Sequence, residues 1–126
     1  MVDGATGDEK LSGTKGDDYI AGADGRDRIK GGKGNDCLHG GDDDDRVQGG
    51  VGDDRVGGGS GRDRLEGNKG TDLIKAGGGR DRIDAADGER DVVACGGASS
   101  DKVVADRKDR TKGCEKVKIR GRSPAR

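Results

Sequence analysis

Acidic side chains recur in this chain at a fixed interval. Asp18, Asp27, Asp36, Asp45, Asp54, Asp63, Asp72 and Asp81 stand nine residues apart, and Glu9 holds the same place one interval earlier. Glycine keeps the same period. Written in nines from Gly4, the chain reads GATGDEKLS, GTKGDDYIA, GADGRDRIK, GGKGNDCLH, GGDDDDRVQ, GGVGDDRVG, GGSGRDRLE, GNKGTDLIK and AGGGRDRID, nine units without a gap to Asp84. The first and fourth positions are Gly in eight of the nine, with Ala76 and Asp43 the exceptions, and the sixth is Asp in eight. Glycine, with no Cβ, permits positive φ and close backbone approach, so such a turn exposes its carbonyls. Carbonyl oxygens joined by a carboxylate are the donor set of a hard cation that takes about six to eight oxygens, which describes Ca²⁺. Mg²⁺ fits less well, because it is smaller and keeps several of its waters.

Such turns need elements that hold them in register. The eighth position supplies them: Leu11, Ile20, Ile29, Leu38, Val47, Val56, Leu65, Ile74 and Ile83 are all aliphatic, with mostly polar neighbours on either side. Alternation over three residues predicts one short strand per unit with one inward side chain, the remaining residues forming the turn. The rest of the composition offers little else to bury. Of 126 residues, 26% are apolar, 40% are charged and Tyr19 is the sole aromatic. On composition alone the chain would stay disordered. Val93 and Val103 bring the inward aliphatics to eleven, still too few to offset the entropy of ordering the repeats. Stacked Asp residues one strand spacing apart would also repel. A repeat protein held by metal is one architecture that such a composition can still support. The expectation is a chain disordered without calcium that folds when calcium is added.

The full pattern, Gly at the first and fourth positions, Asp at the sixth and an aliphatic at the eighth, resembles the RTX family of hemolysin-type calcium-binding repeats, a known repeat architecture. The resemblance implies an all-β fold: a right-handed parallel β-roll, or β-solenoid, of nine-residue repeats, two per coil, with a C-terminal cap. Each ion would lie between the turns of units i and i+2. One edge would stack Asp18, Asp36, Asp54 and Asp72; the other would stack Glu9, Asp27, Asp45, Asp63 and Asp81. Nine turns paired in this way imply about seven Ca²⁺ ions. Turn carbonyls near Gly13, Gly22, Gly31, Gly40, Gly49, Gly58 and Gly67 would complete the coordination, and Asp91 and Asp101 would extend the acidic set downstream. Two departures have consequences. Glu9 is one methylene longer than Asp, so the first site should be weak. Asp43 replaces a turn glycine within Asp42-Asp43-Asp44-Asp45, and Asp tolerates a left-handed backbone better than most residues, so a distorted but acidic turn is expected there.

Beyond Asp84 the register slips. AADGERDVVA carries one extra residue, and GGASSDKVV at 96–104 resumes the pattern. The expected organisation is a regular roll at 4–84, degenerate repeats at 85–104, a cap at 105–120 and a basic tail at 121–126. Three cysteines, Cys37, Cys95 and Cys114, leave one over if two pair. The residues alone also allow free thiols in a reducing compartment. The last part of the chain looks like the end of small secreted bacterial RTX-like proteins whose tail is stapled by two cysteines. That likeness implies a Cys95–Cys114 disulfide and an extracellular, secreted protein in an oxidising setting. No segment reads as a signal peptide or a membrane span. The repeats begin almost at once after Met1, as expected of a mature chain whose targeting segment has been removed.

Positions seven and nine of each unit flank the inward residue and face out. On one sheet Lys10, Arg28, Arg46, Arg64 and Arg82 form a ladder of like charge. It would either bind a polyanion or pair with carboxylates such as Glu66 and Asp84. The other sheet carries Tyr19, Cys37, Arg55 and Leu73, a flatter face that suits a homodimer through Tyr19, Cys37 and Leu73, or a Cys37–Cys37 bridge. Cys37 and His39 share that face, but two ligands are too few for a structural zinc. Catalysis finds no support: His39 is the single histidine, no nucleophile partners it, and no phosphate-binding GxxxxGK[ST] occurs. The reading is a secreted calcium-binding module, structural or binding in role. Alternatives are the C-terminal region of a larger secreted enzyme or toxin, and a calcium-dependent surface adhesin.

Overall fold

A computed structural model describes residues 2–3, 7–85, 90–96, 101–105, 109–114 and 116–119. The tail expected at 121–126 lies outside them. Each aliphatic of the repeat sits on a short strand: β2 (Lys10–Ser12), β3 (Tyr19–Ala21), β4 (Arg28–Lys30), β5 (Cys37–Gly41), β6 (Arg46–Gln48), β7 (Arg55–Gly59), β8 (Arg64–Glu66), β9 (Leu73–Lys75) and β10 (Arg82–Asp84). β1 (Val2–Asp3) precedes them; β11 (Val92–Ala94), β12 (Lys102–Ala105), β13 (Arg110–Lys112) and β14 (Lys116–Ile119) follow. The described residues contain no helix.

Odd-numbered strands form one seven-stranded sheet and even-numbered strands the other, each in chain order. Every pairing is parallel, with Ile20 beside Leu38 and Leu38 beside Val56 on one sheet, and Ile29 beside Val47 and Val47 beside Leu65 on the other. Equivalent residues one coil apart are therefore two units apart, which makes the fold an all-β parallel solenoid with two units per coil. The inward residue of each strand is covered by the facing sheet and by its neighbours above and below. Ile20, Ile29, Leu38, Val47, Leu65 and Ile74 are buried, while Leu11 and Val117 at the two ends are only partly so.

The slip in register after Asp84 leaves the strands aligned. Asp72 and Asp91 occupy equivalent places nineteen residues apart, and Asp81 and Asp101 twenty apart, yet Val93 still lies beside Ile74 and Val103 beside Ile83. In the same region the first position of the unit changes from Gly to Ala76, Ala85, Cys95 and Ala105, all of which join the buried core. The segment read as a cap adds one more strand to each sheet, β13 on β11 and β14 on β12. A disulfide joins Cys95 to Cys114, with Cα atoms 5.1 Å apart. It ties the β13–β14 connection to the buried layer of the coil beneath.

Candidate metal centre

The turn glycines divide by role. In the third to ninth units the second and fourth positions take a left-handed backbone, as at Gly32 (φ 90°), Gly34 (φ 97°) and Gly50 (φ 92°). Where another residue stands there, it can adopt the same conformation: Ala23 (φ 70°), Asn68 (φ 65°) and Asp43 (φ 72°) do so. Asn and Asp tolerate this region best among non-glycine residues. Asp43 is exposed and takes the backbone of the glycine it replaces rather than the distorted turn expected, and its Oδ2 accepts a hydrogen bond from the Gly25 N–H at 3.1 Å. The first position needs glycine for a different reason. A Cβ at Gly22 would stand 2.5 Å from Asp27 Oδ2 and 2.6 Å from the Gly40 carbonyl oxygen. At Gly31 the same point lies 2.6 Å from Asp36 Oδ2 and 2.5 Å from the Gly49 carbonyl oxygen. Each of these turns is a cradle open between a nearby carboxylate and a carbonyl of the next coil.

The aspartates form the two columns expected from the repeat. On one edge the Asp18 N–H donates to Asp36 Oδ1 (2.7 Å), Asp36 N–H to Asp54 Oδ1 (2.8 Å) and Asp54 N–H to Asp72 Oδ1 (2.7 Å). On the other, Glu9 N–H donates to Asp27 (3.0 Å), Asp27 to Asp45 (2.9 Å), Asp45 to Asp63 (2.9 Å) and Asp63 to Asp81 (2.8 Å), always onto Oδ1. Asp91 and Asp101 continue the columns. So does Asp109, which accepts from the Asp91 N–H at 2.8 Å. Sequence reasoning missed Asp109, because Thr111 occupies the aliphatic position of its unit. It also missed the fifth position. Asp8, Asp17, Asp44 and Asp53 each accept the N–H of the residue one coil on, at 2.7 to 2.9 Å. The recurring acidic pair was the signal for them.

The second carboxylate oxygen decides the chemistry. Asp27, Asp36, Asp45, Asp54, Asp63, Asp81 and Asp101 are at most 3% exposed, and Oδ2 of each has no hydrogen-bond partner. A buried carboxylate oxygen without a partner is costly. Burial accordingly pushes the Asp27 and Asp36 carboxyls up, those of Asp45, Asp54 and Asp81 to about 7 and that of Asp63 to about 8, with neighbouring carboxylates adding to the rise. At neutral pH such columns call for protons or cations. Asp18 differs, because its Oδ2 accepts the Thr14 N–H at 2.5 Å. Glu9 is only half-buried. The N-terminal members of the expected ligand set are thus the least like the rest.

Among the described residues no group of three or more His, Cys, Asp or Glu side chains converges. A cation between the turns would therefore draw most of its ligands from backbone carbonyls, with one carboxylate from each turn. An all-oxygen set of that kind fits Ca²⁺ and does not fit zinc or copper, which want nitrogen or sulfur. Cys37 is free and half-buried on the odd sheet. His39 packs beside Tyr19 with ring centroids 5.9 Å apart, on that same sheet rather than at an acidic edge.

No curated protein and no solved structure matches the chain at a significant level. A family model described as the RTX calcium-binding nonapeptide repeat does match, in four copies over residues 3–38, 22–56, 38–65 and 57–90. With the repeat in register, the turns open to a hard cation and the match running over more than half of its length, the chain belongs to the family of RTX calcium-binding nonapeptide repeats.

Proposed function

We propose that this chain is a secreted module whose fold calcium creates, with about seven ions held between successive turns of the two Asp columns. The observation that carries this reading is the set of buried, partnerless Oδ2 atoms on Asp27, Asp36, Asp45, Asp54, Asp63, Asp81 and Asp101. Bound calcium would replace the missing partner, cancel repulsion along each column and let the thin aliphatic core order. The Cys95–Cys114 disulfide supports an oxidising, extracellular location, where calcium is abundant. The role is structural or binding, with no catalysis. The same ion chemistry would serve a C-terminal region of a larger secreted enzyme or toxin. The test is circular dichroism during a calcium titration, with calorimetry for the ion count. The expected result is a disordered spectrum in EGTA that turns strand-rich cooperatively with calcium. A strand-rich spectrum that persists in EGTA overturns the reading.

A further inference from the structure

The even sheet carries an unbroken row of cations. Lys10, Arg28, Arg46, Arg64, Arg82, Lys102 and Lys116 are direct register partners, one on each of the seven strands. Strand spacing sets them about 4.8 Å apart. Six are exposed; Arg46 is half-buried, and its Nε has no hydrogen-bond partner. Lys102 and Lys116 join the row only because the slipped coils restore the ladder. At the C-terminal end the row widens. Arg62 and Arg80, on the adjoining turns, join Arg64, Arg82, Lys102 and Lys116 around an open cavity of about 560 Å³. Asp63 and Asp81 also line it, but they are buried members of the acidic column. The outward acids of the same strands are few. Glu66 accepts a hydrogen bond from the Gln48 amide at 3.5 Å, and Asp84 is the other among the described residues. Two carboxylates on the strands cannot neutralise seven cations, and calcium on the columns would offset the negative field of the adjoining edge, where Asp42, Asp43 and Asp44 are exposed.

We propose that this face binds a linear acidic polysaccharide bearing sulfate or uronate groups, anchored in the cation-lined cavity and lying along the row. The proposal rests on the calcium-folded roll described above. Guanidinium groups pair in bidentate fashion with planar or multi-oxygen anions, and a straight line of charges suits an extended chain with acidic groups at regular intervals. Nucleic acid fits less well. The face has no aromatic side chain for base stacking, since Tyr19 lies on the other sheet, and a flat parallel sheet offers nothing to insert into a duplex groove.

The test is heparin binding by the full chain in saturating calcium, with circular dichroism run on the same samples. Expected results are retention that weakens steeply with salt and a loss of at least about tenfold in affinity for Arg64→Ser/Arg82→Ser/Lys102→Ser. The matched triple on the opposite sheet, Arg55→Ser/Lys75→Ser/Lys112→Ser, should leave affinity within about twofold. If the first triple loses its calcium-induced strand signal, Arg82→Gln and Lys102→Gln, each on an exposed side chain, carry the same comparison. A calcium-folded chain that ignores heparin at low salt overturns the proposal and leaves the calcium reading standing. Equal losses in the two triples also overturn it, by reducing the effect to net charge. Polyphosphate or duplex DNA binding more tightly than heparin overturns the polysaccharide assignment. A chain that stays unfolded in calcium overturns both readings.

Discussion

The buried aspartates Asp27, Asp36, Asp45, Asp54, Asp63, Asp81 and Asp101 accept a hydrogen bond at Oδ1 and none at Oδ2, and this asymmetry is what the proposed calcium reading rests on. Asp63 shows the consequence most strongly, with a carboxyl pushed up to about 8 by burial and by Asp81 and Asp45. In the ion-free roll Asp45, Asp54, Asp63 and Asp81 bind protons that the unfolded chain, near its ordinary 3.8, has already released. The ion-free fold is therefore least penalised in acid, and it loses stability as pH rises from about 4 through about 8. The disordered ion-free chain has already released these protons near neutral pH, so calcium folds it without displacing them. Titrating calcium into a weakly buffered solution near pH 7 is expected to leave its pH unchanged, and a calcium-free sample should gain strand signal only as it is acidified toward pH 4. A calcium-free chain that gains more strand signal at pH 8 than at pH 4 would contradict the raised carboxyls. Asp63→Asn keeps the shape but removes the charge. It should lower the calorimetric ion count and raise the calcium midpoint several-fold, whereas the same change at exposed Asp24 should do neither.

The turn, rather than the strand, carries the chemistry. A strand contributes one buried aliphatic and a few rungs of ladder; the turn sets where the oxygens stand. Two glycines separate these demands. A Cβ at Gly49 would meet Asp54 Oδ2 at 2.5 Å and the Gly67 carbonyl oxygen at 2.8 Å, while one at Gly78 meets nothing within 4 Å. Gly49→Ala should destabilise the calcium-loaded roll by about 1–3 kcal/mol, the usual range for overpacking. Gly78→Ala should fall within about 0.5 kcal/mol of the parent. Urea unfolding in saturating calcium measures both, and similar values for the two would show that the cradle is not sterically defined. Ala76, Ala85, Cys95 and Ala105 mark where the repeat changes character: methyl and sulfur enter the core at the position that glycine leaves open elsewhere.

Over the whole molecule, stability is a sum of nearest-neighbour terms, because each coil touches only the coils above and below it. Local damage should stay local. Reducing the Cys95–Cys114 bridge removes a loop constraint worth about 3 kcal/mol, and it acts on the last coil. Hydrogen exchange in calcium is expected to rise in Lys102–Ala105, Arg110–Lys112 and Lys116–Ile119 while Leu38, Val47 and Val56 stay protected. Uniform loss of protection from end to end would instead mean that the roll unfolds as one unit. The cation row belongs to this scale too, since each even strand contributes one member and only the stacked coils make a line.

Much of this protein was legible in its residues because its interactions are periodic. Gly, Asp and an aliphatic at fixed places in nine residues specify turn, ligand and strand locally, and repetition then stacks like on like. The short strands and the inward row from Leu11 to Ile83 followed from that period, while the roll with its two acidic edges was what the resemblance to the RTX repeats implied. Distances across coils did not. Only the tertiary structure decided that Oδ1 is consumed by the neighbouring N–H while Oδ2 is left bare in residues such as Asp63, that Thr14 occupies the free oxygen of Asp18, and that Asp109 prolongs a column its own sequence hides. It also decided that Lys102 and Lys116 extend the cation row, because residues nineteen and twenty apart still align one coil on, which a fixed nine-residue count cannot foresee. Period is a property of the chain; which atom is left without a partner is a property of the stacked coils.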